Sequence, residues 1–369
     1  MAYGDYTPLA PPTGIPDELV LTHWARQMYK AGIDESYFKR FMGHDSDAIV
    51  HVKEELNKGS GDSIIIPLAM PLVGAGVVDD DKLEGNEEAQ GFRDFRVEIH
   101  QIRHATILKG EYEEKKTQIN LRREAQTAIK NWLARYIDLA IFSVLTGTKF
   151  PLLKKTTDRF PFPVEPPTAD RVMFAGGKTT ENAITAADVF TADLISQAKR
   201  KAIEDEVTAI RPVRVDGRET YVMLIDHWQA RDLKADPKFY EAQQFANVRG
   251  NKNPIFTGAL GVYDGVVIHE NGRVPRTTSG AGSTLGSDGY YTGGVPVGHA
   301  VLLGAQAVTF AEGRAPKTVV KYFDYDNEWS VAIGRMLGLK RSMFKYDDVN
   351  WTDFGCLNIM TSSTKDPTV

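Results

Sequence analysis

The sequence predicts an α+β protein, and three observations carry that prediction. One apolar stripe of helical period runs from Leu121 to Thr146. Two strand-like arms flank an acidic connection at residues 79–90, and from Pro254 onward the pattern is that of strands. The chain has 369 residues, 42% hydrophobic, 25% charged and 10% aromatic, with length for one large core or two modest ones. That composition excludes a disordered tail protein, a collagen and a small stapled scaffold.

The first 17 residues hold Pro8, Pro11, Pro12 and Pro16 and read as an extended arm, either disordered or laid across another subunit. Leu21, Trp24, Ala25 and Met28 then fall at helical spacing and predict a short amphipathic helix. The stretch SIIIPLAMPLVG from Ser63 is apolar, but Pro67 and Pro71 suit an edge or irregular strand better than a central one. Next, DDDKLEGNEEAQ sets Asp79, Asp80, Asp81, Glu84, Glu87 and Glu88 against Lys82. The return arm, FRDFRVEIHQIRHATILKG, is basic, with Arg93, Arg96, Arg103 and Lys109. Two long arms and a charged tip predict a projecting hairpin with little apolar area for a core of its own.

Leu121, Ala125, Ala128, Ile129, Trp132, Leu133, Tyr136, Ile137, Ala140, Ile141, Val144 and Leu145 recur at steps of three and four, which is one long helix. Asn120 is placed to cap its start and Gly147 its end. At 1.5 Å per residue this helix spans roughly 39 Å. Arg122 and Arg123 sit in its first turn, where the helix dipole disfavours cations. Their partners are therefore expected among acids elsewhere, a neighbouring chain included.

Phe150 to Pro167 is Pro-rich and reads as a linker. Thr185, with Asp188 three residues on, predicts the start of a second helix whose face carries Phe190, Leu194, Ala198 and Ala202. TYVMLI reads as a buried strand, and Asp226 with Gln229 caps the helix after it. Later strands are GVVIHE, HAVLLG, AVTFA, TVVKYFDY, SVAIGRMLGLKRSMF and CLNIM. The eight glycines from Gly272 to Gly298 predict an exposed surface loop.

Charge and chemistry narrow the function. Lys+Arg is 44 against Asp+Glu 49, a formal net charge of −5, the opposite of the basic excess that a dedicated nucleic-acid binder carries. Cys356 is the single cysteine, which excludes an intrachain disulfide and a Cys-built zinc site. The N-terminus has no basic or apolar region of a signal peptide. The longest apolar run, Ile64 to Val78, is 15 residues broken by Pro67, Pro71, Gly74 and Gly76, short of the roughly 20 that span a bilayer. A soluble protein of a reducing compartment is expected.

The common catalytic signatures each fail at a named position. GGKT at Gly176 to Thr179 resembles the end of a phosphate loop, but the upstream glycine position holds Val172. His269 and Glu270 begin an HExxH pattern whose second histidine position is Arg273. GAGSTLG from Gly280 is one residue too long for the dinucleotide pattern, and no serine sits in a G-x-S-x-G elbow. Asp324, Asp326 and Glu328 alternate like the start of a calcium loop, but the sixth position is Trp329. His100 and His104 lie in a strand-like stretch, about 13 Å apart on one face, and read as surface histidines. Cys356, in FGCLNIM, reads as a buried inert thiol. The acidic run from Asp79 to Glu88 reads as a solvated loop, or more sharply as a contact that docks on a basic patch of another copy.

This order of parts, with the stretches WARQMYK, FKRFMG, KEELNKGSGDSI, LEGNEEA, RHATILKG, LRREAQTAIKNWLARYIDLAIF, NPIFTGALGVYDGVVIHEN and LLGAQAV, resembles the major capsid proteins of tailed bacteriophages. The similarity is to the family typified by the coliphage N4 shell protein and to the Hong Kong-type shell fold. It runs from about residue 22 to 345, in order. The resemblance implies an N-terminal arm over residues 1–57, an extended loop over 58–110 that overlaps a neighbouring subunit, and a peripheral domain over 111–185 with Leu121 to Thr146 as its spine helix. It further implies an axial domain over 186–315, facing the centre of each hexamer or pentamer, and a return to the peripheral sheet over 316–369.

The function it implies is self-assembly into the icosahedral head shell that encloses double-stranded DNA, without catalysis, cofactor or metal. The expected place is the virion, assembled in the host cytoplasm. Only 120 residues precede the spine helix, and the arm and loop take them up. A separate scaffolding protein is therefore expected, beside a portal protein and a place for a decoration protein, with packaged DNA confined but not read in sequence. Expected interface residues are Trp24 and Phe41 on the arm and Arg122 and Arg123 at the spine. On the loop they are Asp79, Asp80, Asp81, Glu87, Glu88, Phe92, Arg93, Phe95 and Arg96. Lys82 and Asn86 are the types some relatives crosslink; no covalent bond is expected here. Two other readings stand beside this one, an encapsulin-like cage around protein cargo and a soluble α/β hydrolase. Nucleic acid in purified particles separates the first, and a discrete small oligomer would favour the second.

Overall fold

A computed structural model describes residues 36–55, 61–70, 72, 74–80, 82–108, 110–116, 120–148, 160–204, 208–215, 217–245, 259–285, 291–345 and 351–365. In chain order the first elements are β1 (Met42–Gly43), β2 (Val50–Lys53), β3 (Ser63–Ala69), β4 (Phe92–Glu98), β5 (His100–Leu108), α1 (Glu111–Lys116) and α2 (Leu121–Thr146). There follow β6 (Val172–Phe174), α3 (Ala192–Ile203), β7 (Val213–Val215), β8 (Arg218–Ile225), α4 (His227–Ala235), α5 (Pro237–Phe245), β9 (Gly261–Tyr263) and β10 (Val266–Glu270). The remainder is all strand: β11 (Arg276–Thr277), β12 (Thr284–Leu285), β13 (Tyr291–Thr292), β14 (Val297–Leu303), β15 (Val308–Phe323), β16 (Glu328–Arg341), β17 (Met343–Lys345), β18 (Trp351–Asp353) and β19 (Cys356–Ser362). The chain divides into a smaller unit built on residues 101–137 and 314–336 and a larger one built on 37–100, 138–313 and 337–369.

The larger unit is organised on a sheet of order β6-β19-β14-β8-β10-β9, with β7 on β8 and β11 on β14. Strand period 2 and the observed register put Tyr221, Met223 and Ile225 on one face with Val266, Ile268, Ala300, Leu302, Leu357 and Ile359. Onto that face α3, α4 and α5 lay Ile195, Ala198, Ala202, Ala230, Leu233 and Phe239, all 1% exposed or less. The opposite face carries His269, whose ring lies 5.6 Å from Phe41, and Asn358, whose Nδ2 donates to Leu145 O at 3.2 Å. Val301 and Leu303 are buried there as well. A sheet apolar on both faces needs a layer on each side.

Local chemistry sets the helix ends. Asn120 Oδ1 accepts from the Arg123 N–H at 3.0 Å, so α2 begins where the sequence predicts. It ends at Gly147, whose φ of +69° is left-handed and whose N–H donates to Ser143 O at 3.0 Å. A Cβ on Gly147 would come within 2.6 Å of Glu165 O. At α4 the Asp226 N–H donates to Gln229 Oε1 at 3.0 Å, the predicted box. Gln229 Nε2 also donates to Gly298 O at 3.0 Å and Thr361 Oγ1 at 2.8 Å, so the cap residue ties the helix to the sheet.

Four expectations are corrected. Thr185 opens no helix: its N–H and hydroxyl both donate to Asp188 Oδ2 at 2.8 Å in an isolated turn, and α3 starts at Ala192. The basic return arm is two strands, because the Ile99 N–H leaves the ladder to donate to Asp62 O at 2.8 Å and β5 joins a different sheet from β4. AVTFA and TVVKYFDY are one 16-residue strand, β15. Among the described residues the glycine-rich stretch is not an exposed loop throughout: Val274 is 3% and Ser279 0% exposed, while Gly272 and Gly282 face solvent. A Cβ on Gly280 would approach Val295 O to 2.6 Å, so the missing side chain serves close backbone approach.

In the smaller unit, β5 and the outer parts of β15 and β16 form a sheet against the first 17 residues of α2. Trp329, Val331 and Ile333 alternate on the covered face at 5% exposure or less, and the His104 ring lies 4.3 Å from Trp132. Along β15, β2 pairs only with Val308 to Ala311, and every residue from Arg314 to Phe323 is exposed. The turn to β16 holds Asp324, Tyr325 and Asp326 at φ of 48°, 52° and 70°, a run of strained left-handed residues.

Candidate subunit interface

β3 and β4 pair antiparallel without a bulge from Ser63↔Glu98 to Ala69↔Phe92. Period 2 then separates two faces. Ile64, Ile66 and Leu68 stand opposite Val97, Phe95 and Arg93, and this face packs on Ala311 and Phe344. Phe95 and Phe344 meet edge to face, centroids 4.8 Å apart. Lys340 Nζ donates to Arg96 O at 3.2 Å, fastening the strand from its back. The other face carries Ile65, 64% exposed, and Phe92, 67% exposed. Arg96 lies beside them, 3.6 Å from Asp62 and 3.9 Å from Glu98. Pro67 stands on this edge hairpin opposite Asp94, as the sequence led one to expect.

Beyond the last ladder pair the Met70 N–H donates to Gly91 O at 2.9 Å, and the connection from 70 to 91 has no strand among its described residues. Its acids divide by role. Glu88 Oε2 accepts from the Gly74 N–H and Glu87 Oε2 from the Gly85 N–H, each at 2.7 Å, so both shape the tip. Asp79, Asp80 and Glu84 are exposed. Interleaved with them are Leu72, Val78 and Leu83, each more than 60% exposed. Asn86 Nδ2 donates to Lys82 O at 2.8 Å within the same turn.

The expected interface residues thus separate. Asp79, Asp80, Glu87, Glu88, Phe92 and Arg96 lie on the open hairpin. Phe41 and Phe95, both 3% exposed, are taken into the larger unit's own packing, because each falls on the inward side of its element. Arg93 is half-buried on the inward face. Arg122 holds its guanidinium 5.9 Å from the Trp329 ring, and Arg123 is exposed. Trp24, Asp81 and the helix expected from Leu21 to Met28 lie outside the described residues. Sequence reasoning missed Ile65, Leu72, Val78 and Leu83. Their signal was present, since Ile65 is one register step from Ile64 and must face the other way.

Among the described residues no group of three His, Cys, Asp or Glu is placed to hold a metal ion. His104 is exposed, as expected, with its ring against Trp132, and partial desolvation lowers its pKa. His269 is 1% exposed, while Glu270 accepts from Lys234 Nζ at 3.2 Å and lies 2.6 Å from His227 Nδ1. Arg273, where HExxH needs histidine, instead donates from Nη1 to Asp138 at 2.6 Å.

This arrangement of a projecting hairpin, a long helix and a two-sided sheet is found in known proteins. The major capsid protein of Pseudomonas phage KPP25 is 30% identical over 364 residues, covering 93% of this chain and 95% of that one. The capsid of Ralstonia phage GP4 superposes with a TM-score of 0.80 at 27% identity, covering 100% of this chain and 99% of that one. The capsid of cyanophage Pam1 gives 0.73 at 20%, covering 99% and 100%. The fold is the Hong Kong-type capsid fold. The family model described as phage capsid protein matches residues 12–365. That span takes in every described strand and helix, the open hairpin included, and the chain belongs to the phage capsid protein family.

Proposed function

We propose that this chain is the major capsid protein of a tailed phage, a tile that self-associates into an icosahedral shell, and that its hairpin completes itself on a neighbouring copy. The observation that carries this reading is the outer face of β3–β4 with its tip, where Ile65, Leu72, Val78, Leu83 and Phe92 are each about two-thirds exposed. Exposed apolar groups gathered on one projection mark an interaction surface. Covering what remains open is worth about 1–2 kcal/mol per side chain, on the order of 5–10 kcal/mol together. Association costs about 4–15 kcal/mol in lost freedom. One such contact roughly breaks even, so a stable assembly needs several per copy, closed by symmetry.

The same reading gives the chain its parts: an arm over 1–57, an extended loop over 58–110, a peripheral domain over 111–185 and 316–369, and an axial domain over 186–315. The partners are other copies in hexamers and pentamers, a separate scaffolding protein and a portal protein, with a place for a decoration protein, in a shell assembled in the host cytoplasm around double-stranded DNA. A net charge of −5 suits a wall that confines DNA without adhering to it. The role requires no catalysis.

Negative-stain microscopy of the chain expressed with its scaffolding partner tests the proposal: closed shells are expected, and a compact monomer would refute it. Replacing Asp79, Asp80 and Asp81 by Lys is expected to impair shell formation and leave the protomer folded.

A further inference from the structure

Asp138 interrupts the apolar stripe of α2 and is fully buried, and two of its partners are main-chain groups 101 and 100 positions earlier in the chain. Its Oδ2 accepts from the Tyr37 N–H at 2.7 Å and its Oδ1 from the Phe38 N–H at 3.4 Å. These residues begin one short helical turn, Tyr37–Phe41, so the carboxylate caps that turn's free donors. Arg273 Nη1 donates to the same Oδ2 at 2.6 Å and balances the charge. The Arg273 N–H in turn donates to Asn271 Oδ1 at 2.8 Å, just after β10. Apolar packing holds the turn as well. Phe38 is fully buried and meets Phe142 edge to face, centroids 4.8 Å apart, and Phe41 lies against His269. Arg40 folds back on the turn, its guanidinium 4.3 Å from the Tyr37 ring centre.

The two kinds of contact do different things. Burying phenylalanine is favourable but non-directional, so it tolerates more than one orientation of the turn. Two successive N–H groups bonded to one carboxylate fix the backbone direction at residue 37, because hydrogen bonds weaken steeply off line. A buried ion pair adds little stability over apolar side chains of the same size, and its use lies in selecting one geometry. Residues 1–35, which the shell reading assigns to the N-terminal arm, are covalently continuous with this turn. We propose that Asp138 is a positioning residue for assembly. With Arg273 it aims the arm, setting the direction in which residues 1–35 depart and so which neighbouring copy they reach, while Phe38 and Phe41 only hold the turn down. This deepens the shell reading and rests on it.

Arg273→Met with Asp138→Leu removes both charges together, an exchange that buried pairs commonly tolerate, and takes away the directional acceptor. Hydrogen exchange in the full-length protomer should become roughly tenfold faster over 36–41 and stay unchanged in β8 and β14, which lie outside the anchor. Particles of the variant seen by electron microscopy should be mostly open or irregular, whereas a merely weakened protomer would give fewer shells of normal form. Normal closed shells from a variant whose 36–41 segment exchanges faster overturn the proposal, since the arm then needs no aiming. Unchanged exchange overturns it too, since the pair then does not hold the turn. Faster exchange in β8 and β14 as well marks a general loss of stability and removes the positioning role. If the double variant does not fold, Asp138→Asn, which keeps the side chain's shape, is read by the same two measures, and failure of both to fold makes the pair a stability element only. In each of these outcomes the shell reading stands; a wild-type chain that forms no particles ends both.

Discussion

Arg341 donates from Nε to Asp353 Oδ1 at 2.6 Å, with side chains 3% and 0% exposed. The same guanidinium reaches four backbone carbonyls. Nη1 donates to Val144 O, Leu145 O and Glu165 O at 3.2–3.3 Å, and Nη2 to Pro166 O at 2.9 Å. Two of those carbonyls belong to the last turn of α2, where intrahelical donors run out and the dipole favours a cation. Asp353 is held in turn by the Thr168 N–H at 3.0 Å. One buried ion pair thereby joins the helix end, the segment after it and the strands β16 and β18.

Removing one member of such a pair leaves the other buried and uncompensated, which costs about 3–5 kcal/mol. Arg341→Met should lower the stability of the unassembled chain by that amount in urea denaturation. Arg341→Met with Asp353→Leu should recover a large part of it, because the stranded charge is gone. A single variant within 0.5 kcal/mol of wild type would mean that the carbonyls find other donors.

Glu181 should make the folded chain sensitive to acid. Burial alone would push its carboxyl up, but hydrogen bonds from His299, Ser279 and Thr277 outweigh it and hold the pKa at about 2, below the ordinary 4.5. The folded value lies under the unfolded one, so the stabilisation is fully present above about pH 4.5 and is lost as pH falls towards 2. Its size is on the order of 3 kcal/mol. Glu181→Gln should flatten the pH dependence of urea denaturation across that window and change little at its acid end.

The elements that were legible in the sequence are those whose signals are local. Asn120, Gly147 and the stripe between them define α2 with no help from tertiary structure, and Asp226 with Gln229 does the same for α4. Thr185 misled because a Thr with an Asp three residues on satisfies a lone turn as well as a helix start. The glycines from 272 to 298 misled because composition does not tell glycine that permits mobility from glycine that permits close packing. Asp138 was out of reach altogether. It is one charged residue within the apolar stripe of α2, and it is fully buried because the Tyr37 N–H, at 2.7 Å, and Arg273, both distant in sequence, bind it. On the hairpin the outgoing arm, the tip and its acids were legible, but not the point after Glu98 where the return arm leaves for another sheet. Which phenylalanine faces outward was not, since that depends on the register that sets Phe95 opposite Ile66 and Phe92 opposite Ala69.

Cys356 should be silent in the native chain. It is fully buried, and burial, reinforced by the Asp353 charge, raises its thiol pKa far above the ordinary range, so thiolate is scarce as well as inaccessible. A thiol reagent should modify the folded protein only at the rate of its unfolding and react at once in denaturant. Rapid modification without denaturant would show that the β14–β19 region opens locally.

Phe92 and Phe95 lie three residues apart on one strand, and their substitutions should separate assembly from folding. Phe95 is 3% exposed and packed on Phe344, so Phe95→Ala should cost about 3–5 kcal/mol in protomer stability and lose shells only as a consequence. Phe92 is 67% exposed on the opposite face, as is Ile65 at 64%, and surface substitutions of that kind stay within about 0.5 kcal/mol. Phe92→Ser with Ile65→Ser should therefore leave the urea midpoint of the protomer in place while sharply reducing particles in velocity sedimentation. If the double variant assembles as well as wild type, the outer face of the hairpin is not what a neighbour covers. If it unfolds the protomer instead, that face is packed in the isolated chain and the division between the two faces is wrong.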